Sequence, residues 1–93
     1  MSDPLTEGLR RRIAEHDLAI LGAVNERLKL VAELREHKRS TGVEFVDPEQ
    51  EQRLLSTLEQ ASEGPLSREG VRRLFREILA LTKDELGGLG GLG

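Results

Sequence analysis

The fold is decided by one stretch, LRRRIAEHDLAILGAVNERLKLVAELREHKR, which runs from Leu9 to Arg39. Written as heptads, this stretch predicts a long helix whose apolar seam is interrupted by charge. The nine seam positions are Arg10, Ile13, Asp17, Ile20, Val24, Arg27, Val31, Leu34 and Lys38. Four of them are ionised, although an uncompensated buried charge costs several kcal/mol. The three cations among these positions predict an anionic ligand.

Composition narrows the kind of ligand and the setting. The chain has 93 residues, no Cys, no Trp and no Tyr, so we expect one small domain with an aliphatic core. Without thiolates, and with His16 and His37 as the only histidines, we expect no metal site. The net charge of −3 argues against nucleic acid and anionic membranes as partners. Since no signal peptide or membrane-spanning run of apolar residues is present, we expect a cytoplasmic protein.

The first of three predicted helices is too long for a small monomer. It runs from about Thr6 to Arg39, with Gly42 as a C-terminal cap, and its length is roughly 45 to 50 Å at 1.5 Å per residue. A folded monomer of this size should have a radius of gyration near 12 Å, by the usual scaling. Two shorter helices cannot cover the whole seam. We therefore expect an intertwined homodimer.

Two shorter helices complete an all-α fold. The second is predicted to begin at Pro48, with Asp47 as its N-cap, and to fade at residues 62–65. The third is predicted to begin after Ser67 and to end near Leu86. We assign residues 1–86 to one helical domain and residues 87–93, which are rich in glycine, to a flexible tail. No segment is long enough and regular enough to predict a strand.

Spacing along these helices predicts a composite site. Arg27 and Lys38 are eleven residues apart, about 20° around a helix and about 16 Å along it, so both side chains can reach one ligand. Arg10 lies about 25 Å before Arg27 by the same rise, and so can reach only the site of a partner protomer. Glu51 lies on the same inward face of the second helix as Leu55 and Leu58. Thr82 continues the apolar stripe of the third helix, where its hydroxyl is expected to donate into the same cavity.

These residues, in this order and spacing, resemble the all-helical class of chorismate mutases, of the small monofunctional type. The matching pieces are Leu9-Arg10, Asp17, Asn25-Glu26-Arg27, Lys38, Asp47-Pro48, Glu51 and Leu74-Phe75-Arg76-Glu77-Ile78. The resemblance covers Leu9 to about Leu86 and implies a domain-swapped helical homodimer. It also implies rearrangement of chorismate to prephenate, in phenylalanine and tyrosine biosynthesis, without a cofactor.

The resemblance implies a role for each matching residue. Arg27 and Arg10 of the other protomer match the clamps that hold the substrate carboxylates. Lys38 matches the cation that meets one carboxylate and the ether oxygen, and Glu51 matches the acceptor of the substrate hydroxyl. Arg27, Lys38 and Glu51 are therefore the candidate catalytic residues. The other candidate substrate-binding positions are Asp47, Gln50 and Thr82, where Thr82 replaces a serine that commonly contacts the ring carboxylate.

Two positions depart from the family pattern. Gln50 stands where relatives often carry arginine, which leaves part of the cationic cage neutral. Leu86 stands where the family usually places a glutamine or glutamate against the ether oxygen. Lys83 or Glu85, within one turn, is the candidate replacement. An activating partner enzyme of the shikimate pathway, which reorders the C-terminal end, is the other explanation.

Other functions remain open from the sequence. The departures favour a weak or inactive regulatory or binding module on the same fold, and an isochorismate pyruvate lyase would use similar clamps. A plain coiled-coil interaction protein is also compatible with charged seam positions whose side chains extend to solvent. Individually, Asp47 is a good N-cap, Glu51 suits the first turn of a helix, and Thr82 can bond within its own helix.

Overall fold

The computed structural model describes residues 3–41 and 48–87, and these residues form three helices and no strand. Helix α1 spans Pro4–Thr41, α2 spans Pro48–Ala61 and α3 spans Arg68–Glu85. The prediction of an all-α chain with one long N-terminal helix is confirmed. The predicted caps Gly42 and Asp47 and residues 88–93 of the predicted tail lie outside the described residues.

Helix α1 begins two residues before the predicted start because Asp3 caps it. The Asp3 carboxylate accepts hydrogen bonds from the Thr6 backbone N–H at 2.8 Å and from the Thr6 hydroxyl at 2.9 Å. These bonds hold the pKa of the Asp3 carboxyl below its usual value. Pro4 follows at the first helical position, where a missing N–H costs nothing. The helix also continues to Thr41, two residues past the predicted end at Arg39.

The boundaries of the two shorter helices follow the prediction. Helix α2 begins at Pro48 and ends at Ala61, just before the predicted break. Ser67 is the N-cap of α3, and its hydroxyl accepts a hydrogen bond from the Gly70 N–H at 3.0 Å. Leu86 is the C-cap of α3 and is followed by Gly87, which has a positive φ of 81°. A glycine at this position lets the chain leave the helix without a Cβ clash.

Helices α2 and α3 pack against each other and contain most of the core. Leu55 is 3% exposed and Val71 is 4% exposed, and Thr82 is the third buried residue among those described. At the same interface the Arg72 guanidinium donates to both carboxylate oxygens of Glu59, at 3.1 and 2.6 Å. These hydrogen bonds lower the pKa of the Glu59 carboxyl and raise the pKa of Arg72. The pair therefore ties α2 to α3 with complementary charge.

Helix α1 contacts α3 but, within the described residues, not α2. None of its residues is buried, and its first half is almost entirely exposed. The chain measures 58 × 24 × 16 Å, with a radius of gyration of 17.1 Å. A compact chain of this length would have a radius near 12 Å. One chain therefore leaves most of its long helix uncovered, as the seam pattern predicts.

No described helix has both the length and the apolar character that crossing a bilayer requires.

Candidate functional site at the C-terminal end of helix α3

The last turns of α3 are the place where candidate residues from the other two helices meet. The Arg27 guanidinium of α1 donates a hydrogen bond to the Thr82 hydroxyl, with a distance of 2.9 Å between Nη1 and Oγ1. On the next residue, the Lys83 ammonium lies 3.5 Å from a carboxylate oxygen of Glu51 on α2. Arg27 and Glu51 thus contact consecutive residues of α3. A cation and a carboxylate from different helices are held at one end of the chain.

The Thr82 hydroxyl has two hydrogen-bond partners in this arrangement. It is 7% exposed, accepts from Arg27, and donates to the Ile78 carbonyl at 2.8 Å. A hydroxyl has one proton, so the predicted donation into the cavity is not what the structure shows. The correction has a simple cause, since a helical threonine readily bonds back to the carbonyl four residues earlier. Thr82 instead orients Arg27.

Glu51 and Lys38 are both half-buried, as their inward positions predict. The Glu51 carboxylate forms an ion pair with Lys83. Lys83 is one of the two residues proposed from sequence to replace the missing donor at Leu86. The Lys38 ammonium has no hydrogen bond or ion pair with a described residue. It is therefore available to an anion, although no contact places it beside Arg27.

Two of the remaining candidates, Gln50 and Arg10, are exposed. Gln50 lies on the first turn of α2, and its side-chain oxygen accepts a hydrogen bond from Arg53 at 2.9 Å. Arg10 lies on the exposed first half of α1 and is not brought together with Arg27 within one chain. Asp47 lies outside the described residues. The structure thus brings Arg27, Thr82 and Glu51 to the end of α3 and leaves Arg10 apart from them within one chain.

Arg35 is a residue of this region that the sequence pattern did not reveal. Its guanidinium bonds from α1 to the Leu86 carbonyl at the end of α3. It follows the seam residue Leu34, at a position where a charged side chain is normally solvated. No spacing rule distinguishes it from the other charges of α1.

No three carboxylate or imidazole side chains of residues 3–41 and 48–87 are arranged to hold a metal ion. The end of α3 holds the guanidinium groups of Arg27 and Arg35 and the ammonium of Lys83, together with the Glu51 carboxylate. Guanidinium and ammonium groups recognise carboxylates by hydrogen bonds. Fold and site together define an all-helical protein in which guanidinium and ammonium groups from α1 and α3 meet a carboxylate from α2.

Comparison with known proteins specifies this class. The family model of chorismate mutase type II matches residues 9–85. The solved structure of chorismate mutase (form II) from Thermus thermophilus has a TM-score of 0.80 and 30% identity, with 85% of this chain and 90% of that chain covered. Form I of the same protein gives a TM-score of 0.79 at 30% identity, with 83% and 96% covered.

The chain therefore belongs to the chorismate mutase type II family, a family of isomerases. A curated relative, the bifunctional chorismate mutase/prephenate dehydratase of Pseudomonas aeruginosa, is 35% identical over 79 residues. The match covers 80% of this chain and 22% of that protein, so the chain spans about a fifth of the length of this relative. The resemblance inferred from the sequence is confirmed at the level of family and fold.

Proposed function

We propose that this chain catalyses the rearrangement of chorismate to prephenate as a homodimer, with each site completed by Arg10 of the other protomer. The observation that carries the proposal is the meeting of Arg27 and Glu51 on consecutive residues of α3. Together they supply a carboxylate-binding cation and a hydroxyl-binding carboxylate at one location. Membership of the chorismate mutase type II family supports the same reaction.

The chemistry asks little of the protein beyond shape and charge. The reaction breaks a C–O bond and forms a C–C bond within one molecule, so it needs no nucleophile and no proton transfer. It needs a dianion folded into its reactive conformer, and positive charge near the oxygen of the breaking bond. In this proposal Arg27 and the other protomer's Arg10 hold the two carboxylates. Lys38 supplies the charge at the ether oxygen.

In this proposal, residues of helix α2 bind the hydroxyl side of the substrate. Glu51 accepts the hydrogen bond of the ring hydroxyl. Asp47, which lies outside the described residues, is a further candidate to bind the same group. Gln50 contributes a neutral hydrogen bond where relatives often have a cation. Thr82 contributes by holding Arg27, which in turn contacts a carboxylate.

The dimer is supported by the surface that one chain leaves uncovered. Ile13 and Ile20 of the predicted seam are 61% and 60% exposed, and Leu9 and Leu34 are also exposed. Large apolar side chains exposed on one face of a helix favour an interaction site. A second α1 carries the same seam, so an isologous pairing covers both copies. The same pairing brings an Arg10 to each Arg27.

The apolar Leu86 is the main chemical difficulty, and Lys83 is the proposed remedy. Loss of one donor to developing negative charge typically costs about 10² to 10³ in rate. Lys83 lies one turn before Leu86 on α3 and already contacts Glu51. A small rotation of its flexible chain brings its ammonium toward a ligand bound beside Glu51. We propose that Lys83 supplies part of the lost stabilisation.

A partner enzyme belongs to the proposal as well. The name of the Pseudomonas relative joins chorismate mutase with prephenate dehydratase in one protein. We propose that an enzyme of the same pathway binds this chain and raises its activity. A rise in kcat/KM on titration with such an enzyme supports this, and an unchanged value at saturating concentrations contradicts it.

The direct test follows the loss of chorismate absorbance in the purified protein. Because an isomer has the same mass as chorismate, the product is identified by its NMR spectrum and by its acid-catalysed conversion. Arg27→Ala and Lys38→Ala should each abolish most activity while the helical circular dichroism is retained. Arg39→Ala is the matched control, because Arg39 lies at the same end of α1 and pairs with Glu36 at 3.6 Å, largely in solvent. Full activity in both site variants would exclude the proposed site. Release of pyruvate from isochorismate, in a parallel assay, would instead identify a lyase.

Sharing of the site between protomers has its own test. Arg10→Ala and Arg27→Ala are mixed and refolded together, so that heterodimers form beside the two inactive homodimers. One of the two composite sites in a heterodimer again has both arginines, and we expect activity to recover. Absence of recovery, with heterodimers demonstrated by mass spectrometry, would contradict a shared site.

A further inference from the structure

The end of α3 is attached to α1 by a side chain that is not among the proposed substrate contacts. The Arg35 guanidinium donates through Nη1 to the Leu86 carbonyl, while its Nε is buried without a partner among the described residues. Arg35 as a whole is half-buried. A buried donor without a partner costs free energy. The placement of Arg35 therefore needs an explanation other than stability.

The Leu86 carbonyl is a natural target for a cation. The backbone N–H of Leu86 bonds to the Thr82 carbonyl at 3.1 Å, and the N–H of Gly87 bonds to the Asp84 carbonyl at 3.3 Å. These bonds close the helix, but the carbonyl of Leu86 itself points beyond it. The C-terminal end of a helix carries partial negative charge, which a guanidinium complements. Arg35 therefore caps α3 from a different helix.

Arg35 and Arg27 form two separate attachments between the same pair of helices. They lie eight residues apart on α1, which is about 12 Å, and their partners Thr82 and Leu86 lie four residues apart on α3, which is about 6 Å. One attachment alone permits α3 to pivot about it. Two attachments fix both the position and the direction of its last turn.

We infer that Arg35 is a positioning residue for catalysis: by holding Leu86, it fixes the α3 turn on which Thr82 orients Arg27 and Lys83 meets Glu51. Arg35 itself touches no substrate. The inference rests on the proposed function for its catalytic consequence, but its structural part stands separately. Misplacement of a clamp by about 1 Å is enough to lower the rate.

Arg35→Met, which keeps the length of the side chain and removes its donors, tests the inference. We expect kcat/KM to fall about tenfold, mostly in kcat, because Arg27 still binds the carboxylate but in a less productive geometry. Arg35→Lys retains a charged donor and should recover at least a third of the lost activity. Arg39→Met, the solvated control on the same helix, should leave both constants unchanged.

A double-mutant cycle separates positioning from a general loss of stability. If Arg35 acts through Thr82, the losses of kcat/KM in Arg35→Met and Thr82→Val should overlap. The kcat/KM of the double variant should then be at most about twofold below that of the less active single variant. Multiplying losses would overturn the inference. Unchanged kinetics in Arg35→Met, or equal losses in Arg39→Met, would overturn it as well.

Hydrogen exchange keeps the test independent of turnover. The Leu86 and Gly87 amides, which close the helix, should exchange at least tenfold faster in Arg35→Met than in the wild type, while the Leu55 amide is unchanged. If the Leu86 and Gly87 amides exchange at the same rate in Arg35→Met as in the wild type, the structural part of the inference is overturned. Failure of the wild type to convert chorismate would count against the proposed function alone, since the exchange result does not depend on it.

Discussion

Thr82→Val separates the two things that the Thr82 hydroxyl does for this chain. Valine has almost the same shape, but it can neither accept from Arg27 nor donate to the Ile78 carbonyl. The second loss is small, because the Ile78 carbonyl belongs to the interior of α3 and keeps its place in the helical ladder. The first loss releases the guanidinium of a proposed substrate clamp.

The magnitude follows from the character of that hydrogen bond. A hydrogen bond with a charged donor contributes about 1.5–3 kcal/mol. Burying a methyl group in place of the hydroxyl returns about 0.8 kcal/mol. Since Arg27 is half-buried and water can reach part of it, we expect a net loss near the lower end, about 1 kcal/mol. For a domain of this size that corresponds to a fall in Tm of about 4–8 °C.

The assay compares Thr82→Val with Thr82→Ser at equal protomer concentration. Serine keeps the hydroxyl and loses one buried methyl, so its stability should fall by about 0.8 kcal/mol while its activity is retained. Valine should lose about tenfold in kcat/KM, equivalent to about 1.4 kcal/mol. Thr57→Val, at an exposed position on α2, controls for the substitution itself. Wild-type activity in Thr82→Val, or a larger loss in Thr82→Ser, would refute the reasoning.

Four further perturbations probe the interface between α2 and α3, the dimer, the proposed replacement donor and the hydroxyl side of the site. Because Arg72 lowers the pKa of the Glu59 carboxyl, the pair stabilises the fold at pH values above 4.5, the ordinary pKa of glutamate, and this stabilisation is lost as the pH falls further. The difference in Tm between the wild type and Glu59→Gln should therefore disappear in acid. A difference that does not change with pH would contradict this. Ile20→Glu should make the chain monomeric in sedimentation experiments. The Ile20 side chain is 60% exposed, so the substitution should not disturb the fold of one chain. A persistent dimer would mean that the seam is not the interface. Lys83→Met should lower kcat with little change in helix content, and unchanged kcat would exclude Lys83 as the replacement for the missing donor. Glu51→Gln should raise KM, as a weaker hydroxyl acceptor would, and an unchanged KM would remove it from the site.

The architecture was predictable because its signals are local. Pro48 and Ser67 mark helix starts through capping chemistry, and the structure places α2 and α3 at those starts. The same chemistry at Asp3-Pro4 was present in the sequence, but the heptad pattern begins later and drew the predicted start to Thr6. The boundary of the predicted domain at Leu86 stays a prediction.

The contacts between helices were only partly predictable. Periodicity places Arg27, Glu51 and Thr82 on inward faces, but it does not say which residues of α1 and α3 lie opposite each other. The partners of Arg27 and Arg35 on α3 depend on how the two helices cross, and the crossing is set by packing rather than by spacing. The direction of the Thr82 proton is a further case, since two acceptors compete and only geometry decides between them.

The thinness of the core links stability to catalysis in this chain. Among the described residues only Leu55, Val71 and Thr82 are buried, and α1 is attached to α3 through hydrogen bonds of two arginines rather than through a continuous apolar core. Arg27 therefore takes part both in an attachment between two helices and in the proposed anion site. Ligands that bind only the folded form raise its stability by mass action. Chorismate analogues with two carboxylates should accordingly raise the Tm of the wild type by several degrees at saturating concentration, and should fail to do so in Arg27→Ala. A shift of equal size in both proteins would place the anion elsewhere on the chain.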